Sequence, residues 1–233
     1  MKAVSSMATR NVLADLNSAA SGAGFSPIDV ESLGGVDAAK RVAAGEPFDL
    51  VFLAVDALQR LAADGHVDAA SITPLVLSQV AAGVPSGFDA PATHDGGFAF
   101  VDAAGMRAAL LAADRIGYST GPSGTALVAM IDGWGLGETL GERLVQARPG
   151  IPVARALAEG EVDLGFQQLS ELVGQPGVRI LGVLPPDCAI DTVFAGAVAT
   201  AVSDPAGARE VLDFLASDAV APVKAAHSFA PAR

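Results

Sequence analysis

Apolar and polar positions along the chain switch repeatedly between a period of two and a period near 3.6, from the first residues onward. "KAV" reads as a short strand ending in "SS", and "MATRNVLADLNSAA" then places Val12, Leu13 and Leu16 at helical spacing, with Gly22 and Gly24 to end the helix. "PIDVESLGG" predicts a second strand, and "VDAAKRVAAGEP" a helix stopped by Gly45 and Pro47. "FDLVFLA" is apolar throughout and rich in strand formers, the pattern of a central strand buried on both faces. The next helix, "VDALQRLAADGHV", closes at Gly65. This βαβαβα order implies crossover connections onto a parallel sheet.

The regularity breaks near residues 78–97. "ITPLVLSQVAAGVP" fits one long strand, and "SGFDAPATHDGG" carries loop signals. A second series follows: helix "DAAGMRAALLAA", strand "RIGYS", helix "GTALVAMIDGWG", strand "RLVQA", helix "PVARALAEG" and strand "VDLGFQ". "GVRILGVLPP" receives no element. The strand-like "DTVFAGAVATAV" precedes a last helix, "DPAGAREVLDFLAS", with Asp204 as N-cap and Pro205 at the first helical position. Two α/β lobes are the expectation, and no repeat in residue identity accompanies the repeat in pattern.

Composition narrows the partners. Fourteen Lys and Arg stand against 26 Asp and Glu, a formal charge of −12, which disfavours nucleic acid and anionic lipid surfaces. Mean hydropathy is high at +0.45, yet no apolar run approaches the roughly 18–20 residues of a membrane span, so membrane insertion is not expected. Cys188 is the single cysteine and forms no internal disulfide; in "PPDC" it reads as a small, inert turn residue. "MKAVSSMATR" lacks the apolar core of a secretory leader. Two locations follow: cytoplasm if Met1 is the native start, or periplasm or cell exterior if a leader has been removed.

"GYSTGPSG", residues 117–124, is the densest chemical signal. A phosphate-binding P-loop needs a Lys after its last glycine, and Thr125 stands there instead. "GYSTG" fits the G-x-S-x-G elbow of serine hydrolases, and Asp187 and His227 follow in the hydrolase order. However, Pro122 sets the helix start three residues beyond Ser119, and no glycine-rich oxyanion segment is present. A plain helix cap, with Thr120 or Gly121 at the N-cap and Pro122 at the first helical position, accounts for the stretch without invoking function.

The other strand-to-helix junctions alter that balance. "SSMATR" (5–10) is hydroxyl-rich, "LGGVDAA" (33–39) bares backbone N–H groups, and "GFQQLSE" (165–171) supplies adjacent amides. Ligands of open α/β sheets sit at the carboxyl ends of strands, where helix N-termini offer free donors and partial positive charge. Arg10 falls in the first turn of its helix, where a cation opposes the helix dipole unless an anion is near. The alternative is an arginine reaching solvent or a surface carboxylate. His66, His94 and His227 are too scattered for a metal site, and neither metal nor cofactor is expected. Trp134, in "GWG", is expected to pack at a helix end.

"SSMATRNVLADL", "FDLVFLAVDALQRLAADGHV", "IGYSTGPSGTALVAMIDGWG", "PVARALAEGEVDLGFQQLSEL" and "GVRILGVLPPDCAIDTVFAGAVATA" together resemble the extracellular solute-binding proteins of the molybdate-binding type. That resemblance implies a type II periplasmic-binding-protein architecture. Lobe one would comprise residues 1–80 plus 194–233 and lobe two residues 81–193, each a mixed, mainly parallel sheet flanked by helices, with the ligand in a cleft between lobes. It also implies a site of hydroxyls and helix N–H groups at Ser5, Ser6, Gly35, Val36, Pro122, Ser123, Val153 and Gln168; Ser119, Thr120, Gln167 and Arg10 join them as neighbours. Gln168 stands where the molybdate binders usually present a tyrosine, and they lack an arginine like Arg10. An amide pair with an arginine suits a planar carboxylate, which arginine grips with two parallel hydrogen bonds.

Two readings follow. In the first, the chain is the binding protein of an ABC-type uptake system, a monomer that clamps a small anion, either a molybdate-like oxyanion or an organic carboxylate, and hands it to a permease. In the second, it resembles the subgroup that includes aconitate isomerase, and acts on a polycarboxylate through a base and donors that hold a carbanion. His94, Glu171 or a polarised hydroxyl are the candidate bases.

Overall fold

The computed structural model describes residues 1–88, 97–148 and 151–232. The chain divides into two compact units, residues 1–78 with 192–233, and residues 79–191. The boundaries expected from sequence lie slightly further along the chain at both crossings.

Elements are numbered along the whole chain. The first unit holds β1 (Lys2–Ser6), α1 (Arg10–Gly22), β2 (Asp29–Leu33), α2 (Gly35–Ala43), β3 (Leu50–Ala54) and α3 (Val55–Ala63). It also holds the start of β4 (Thr73–Pro85), most of β9 (Asp191–Val198), α9 (Pro205–Ala216) and α10 (Ala221–Ala226). Its strands run β2-β1-β3-β9, the first three parallel and β9 antiparallel to β3. Strand alternation sorts the side chains. Ala3, Leu50 and Phe52 pack with Val12, Leu16, Val211 and Leu212 of α1 and α9, while Val4, Val51 and Leu53 pack with Ala38, Val42, Leu58 and Leu61 of α2 and α3. All five residues of β3 are buried because both faces are covered, which is why that strand reads as a continuous apolar run. Asp204 caps α9, accepting the Gly207 N–H at 3.0 Å.

The second unit contains the rest of β4 with α4 (Ala103–Ala112), β5 (Ile116–Tyr118), α5 (Pro122–Gly133), α6 (Gly137–Leu140) and β6 (Leu144–Gln146). It continues with α7 (Val153–Ala158), β7 (Leu164–Gln168), α8 (Leu169–Leu172) and β8 (Val178–Val183). The order is β8-β4-β7-β5-β6; β5 is parallel to β6 and β7, and β4 is antiparallel to β7 and β8. Val80, Ala82, Ile116, Leu164 and Phe166 pack under α4 and α5. Ala81 lies on the opposite side with Val153, Leu157 and Leu172 of α7 and α8. β8 occupies the "GVRILGVLPP" run left unassigned from sequence. Its residues alternate only weakly between buried and half-buried, so no clear period two marks it. α10 is a further element absent from the sequence reading; six residues with a proline in second place are too short to show a helical period.

Two close approaches fix the helices that begin at strand ends. Gly117 and Gly165 are paired across β5 and β7, and α7 lies directly on them: a Cβ at Gly165 would stand 2.7 Å from Val153 Cγ1 and 2.9 Å from Leu157 Cδ1. The buried Gln167 amide then ties α7 to β7, its Oε1 accepting the Ala154 N–H at 3.3 Å and its Nε2 donating to the Glu171 carboxylate. The second approach is at α5, where a Cβ on Gly124 would overlap the Ser119 carbonyl oxygen.

Each contact has an expected consequence. Gly124→Ala must displace the first turn of α5 and should cost about 1–3 kcal/mol in urea unfolding. Gly133→Ala, in the same helix with open space around it, should be neutral or stabilising by up to about 1 kcal/mol. Burial lifts the Glu171 carboxyl above its usual value of 4.5, while the Gln167 amide pulls it down. The folded state therefore keeps a proton that the unfolded chain releases, and stability falls as pH rises from 4.5 through the raised value. Glu171→Gln keeps a hydrogen-bonding partner for Gln167 without the titration. Its melting temperature should match wild type below pH 4.5 and equal or exceed it at pH 7.5; a deficit equal at both pH values would contradict the assignment.

Candidate functional site

In the first unit, the serine pair at the end of β1 divides. Ser5 shares the α1 side of the sheet with Ala3, and its Oγ lies 2.8 Å from Ser32 Oγ, the residue opposite it on β2. Ser6, one residue on, shares the α2 side with Val4. Its Oγ receives only a long bond, 3.4 Å, from the Ala8 N–H, and a Cβ built on Gly35 would lie 3.7 Å from it. The first turn of α2 therefore stands beside the Ser6 hydroxyl. Gly34 is the N-cap and offers no side chain, and the first intrahelical bond is Ala38 N–H to Gly34 O at 2.9 Å. The N–H groups of Gly35, Val36 and Asp37 precede it and remain unused within the helix. The Val36 side chain is exposed, so what that residue presents beside Ser6 is its backbone N–H.

Arg10 opens α1 on the Ser5 side. Together with Ala14, Asn17, Ile28, Val30 and Ser32 it lines an open groove of about 520 Å³ between α1 and β2. Arg10 takes part in none of the ion pairs found among the described residues, whereas Arg41, Arg60, Arg155 and Arg209 all pair with carboxylates. Asn17 closes the far end of the groove, donating to Ile28 O at 2.8 Å and accepting the Ile28 N–H at 2.9 Å.

In the second unit, β5 ends at Tyr118 and α5 begins at Pro122, with Gly121 as N-cap. Ser119 Oγ and Ser123 Oγ are 3.0 Å apart, Ser123 buried and Thr120 exposed. The first intrahelical bond is Thr125 N–H to Gly121 O at 3.1 Å, which leaves the Ser123 and Gly124 N–H groups ahead of it. The glutamine pair at the end of β7 divides as the serines do. Gln167 faces α7, below the buried Val153, and is committed to Ala154 and Glu171. Gln168 falls on the Phe166 side, is buried, and its Oε1 has no hydrogen-bond partner. The Ser78 and Ser170 hydroxyls are likewise buried and unpartnered. Sequence reasoning treated the two serines alike, and it singled out Gln168 over Gln167 only through the resemblance; strand alternation is the signal that separates the members of each pair.

No hydrolase triad assembles. Ser119 is absent from the residues of positive φ, so it lacks the strained backbone of a nucleophile elbow. His227 Nε2 lies 2.7 Å from Asp15 Oδ2, and Asp187 accepts the Ala103 N–H at 2.9 Å. Cys188 is buried with its Sγ 3.6 Å from Met106 Sδ. Burial, aided by Asp187 and Asp102, pushes its thiol up to about 11, far from a reactive thiolate. Trp134 caps the C-terminus of α5, with the Arg107 guanidinium 5.3 Å from its ring centroid. Among the described residues no cluster of His, Cys, Asp and Glu could hold a metal ion, and no helix is long and apolar enough to cross a membrane. His94 lies outside the described residues.

Comparison with known proteins places the chain in a family. Residues 1–230 match the family model described as bacterial extracellular solute-binding protein. Over 180 residues the chain is 34% identical to an aconitate isomerase from a Pseudomonas species; the match takes in 76% of this chain but 65% of that relative, just under two thirds of its length. Among solved structures, the periplasmic molybdate-binding protein of Azotobacter vinelandii superposes with a TM-score of 0.75 at 18% identity, covering all of both chains. The sulfate-binding protein SubI of Mycobacterium tuberculosis gives 0.73 at 16% identity, over 99% of this chain and 86% of that one. At such identities the likeness concerns the fold, a two-lobed periplasmic-binding-protein architecture. The chain belongs to the bacterial extracellular solute-binding proteins.

Proposed function

We propose that the chain is the substrate-binding component of an ABC-type uptake system and that it works outside the cytoplasmic membrane as a monomer, binding a small organic carboxylate for delivery to a permease. The observation that carries the anion is the junction of Ser6 with the first turn of α2, where a hydroxyl adjoins unused N–H groups and Gly35 brings no side chain between them. Such donors hold an oxyanion without a cluster of cations, which a chain of net charge −12 does not offer. In the second unit, the Ser119–Ser123 hydroxyl pair and the first turn of α5 supply a set of the same kind. Carboxylate is favoured over a tetrahedral oxyanion by Arg10, a guanidinium at the start of α1 that no carboxylate of the described residues engages.

A second reading, an isomerase acting on a polycarboxylate, is favoured by the 34% identity to a protein named aconitate isomerase. Proton abstraction beside a carboxylate needs a base, and Glu171 is a half-buried carboxyl whose affinity for protons burial has raised. Incubation with cis-aconitate, followed by proton NMR for the trans isomer, separates the two readings.

A thermal-shift panel of molybdate, sulfate, citrate, cis-aconitate and trans-aconitate tests the first reading. A ligand at a hundred times its Kd should stabilise the fold by about 2.7 kcal/mol; a panel in which no anion raises the melting temperature would overturn it. Arg10→Ala should weaken carboxylate binding by about 1.5–3 kcal/mol in calorimetric titration. Unchanged affinity would remove the arginine from the site.

A further inference from the structure

The two glutamines that end β7 are in opposite conditions. Gln167 uses its carbonyl on Ala154 and its amino group on Glu171. Gln168 is only 4% exposed, and its carbonyl oxygen meets no donor. An unsatisfied buried acceptor is costly, and native proteins keep few of them without a use.

Its position suggests the use. β5 and β7 are parallel with Tyr118 opposite Phe166; β5 ends there and leads into α5 at Pro122, while β7 runs two residues further to Gln168. Alternation along β7 puts it on the side of Phe166, which α4 and α5 cover. Unused N–H groups follow the end of β5, and an unused carboxamide ends its neighbour β7. A carboxamide carries one acceptor and two donors in a single plane, whichever way it is turned. A fully ionised tetrahedral oxyanion brings acceptors only. It could take the amide's N–H groups but would leave Oε1 unpaired and facing negative charge.

We propose that the ligand is a hydroxy-substituted carboxylate whose hydroxyl donates to Gln168 Oε1 while an oxygen of the same ligand accepts from Gln168 Nε2. This rests on the carboxylate reading above and deepens it to a substrate class. It also separates binding from isomerisation, because fully ionised aconitate carries no hydroxyl to donate.

The test compares acids that differ by one hydroxyl: citrate with tricarballylate, and malate with succinate, by isothermal titration calorimetry. Wild type should bind the hydroxy acid of at least one pair about ten-fold or more tightly than its partner. In Gln168→Met, close in volume, both acids should lose the bond from Nε2 and only the hydroxy acid the bond to Oε1, so that ratio should fall to near one, with the ligand-free melting temperature equal to wild type or higher. Equal affinities within both pairs in wild type would overturn the proposal, and that measurement needs no variant. A hydroxyl preference that survives in Gln168→Met would overturn the role of Gln168. If sulfate or molybdate binds and none of the four acids does, the carboxylate reading itself fails and the hydroxyl assignment fails with it.

Discussion

Two successive residues at the end of a β-strand cannot face the same way, and the polar chemistry of this protein is arranged around that constraint. β1 ends in two serines and β7 in two glutamines. In each pair one side chain turns to a helix and becomes part of the packing, while the other is left at the strand end. Ser5 bonds Ser32 across the sheet, and Gln167 ties α7 to β7. Ser6 and Gln168 keep their capacity, beside the first turn of α2 and at the end of β7 respectively. The structural member holds the sheet and helix in place, and the free member depends on that placement for its position.

Glycine and proline complete the arrangement by what they omit. Gly124 lets the first turn of α5 settle on the Ser119 carbonyl, and Gly117 with Gly165 lets α7 lie on the strand backbone. Pro122 starts α5 without adding an N–H of its own, so the free donors are those of Ser123 and Gly124. Donors fixed in the backbone need no reorganisation when an anion arrives, and they do not titrate. A surface rich in carboxylates can then coexist with an anion-binding function, because the attraction is local and short-ranged. Arg10 adds the one charged donor in the proposed scheme. Its place at the start of α1 opposes the helix dipole, an arrangement that a bound anion would relieve.

Much of the fold was legible in the sequence because most elements bury a whole face or both. The continuous apolar run of β3 and the Asp204–Pro205 start of α9 identify themselves by pattern, and Pro122 marks the start of α5. β8 was not legible, since its residues are mostly half-buried and carry no sharp alternation. α10 is too short to display a period. At the candidate site, sequence identified the junctions but not the division of labour within them. Ser5 and Ser6 are chemically identical, as are Gln167 and Gln168, and only the partner across the sheet or on the next helix distinguishes them. The pairing of Asn17 with the Ile28 backbone depends on a contact eleven residues away and left no trace in the local pattern.

The same geometry bears on whether proton transfer belongs to this protein. A general base must reach the carbon next to a bound carboxylate, within hydrogen-bonding distance of the proton it removes. Glu171 has the raised proton affinity such a role favours, but it faces Gln167 on the α7 side of β7 and already accepts that amide's hydrogen bond. Gln168, the group proposed to meet the ligand, lies on the other side of the strand. The Ser119 and Ser123 hydroxyls are bonded to each other, and the one triad that sequence order suggested leaves His227 with Asp15 and Asp187 with the Ala103 backbone. Isomerisation with Glu171 as the base would require it to release Gln167 and cross to the opposite side of β7, loosening the tie that holds α7. Binding as proposed at Ser6 and Gln168 requires no such rearrangement, because the strand ends already leave those two side chains uncommitted.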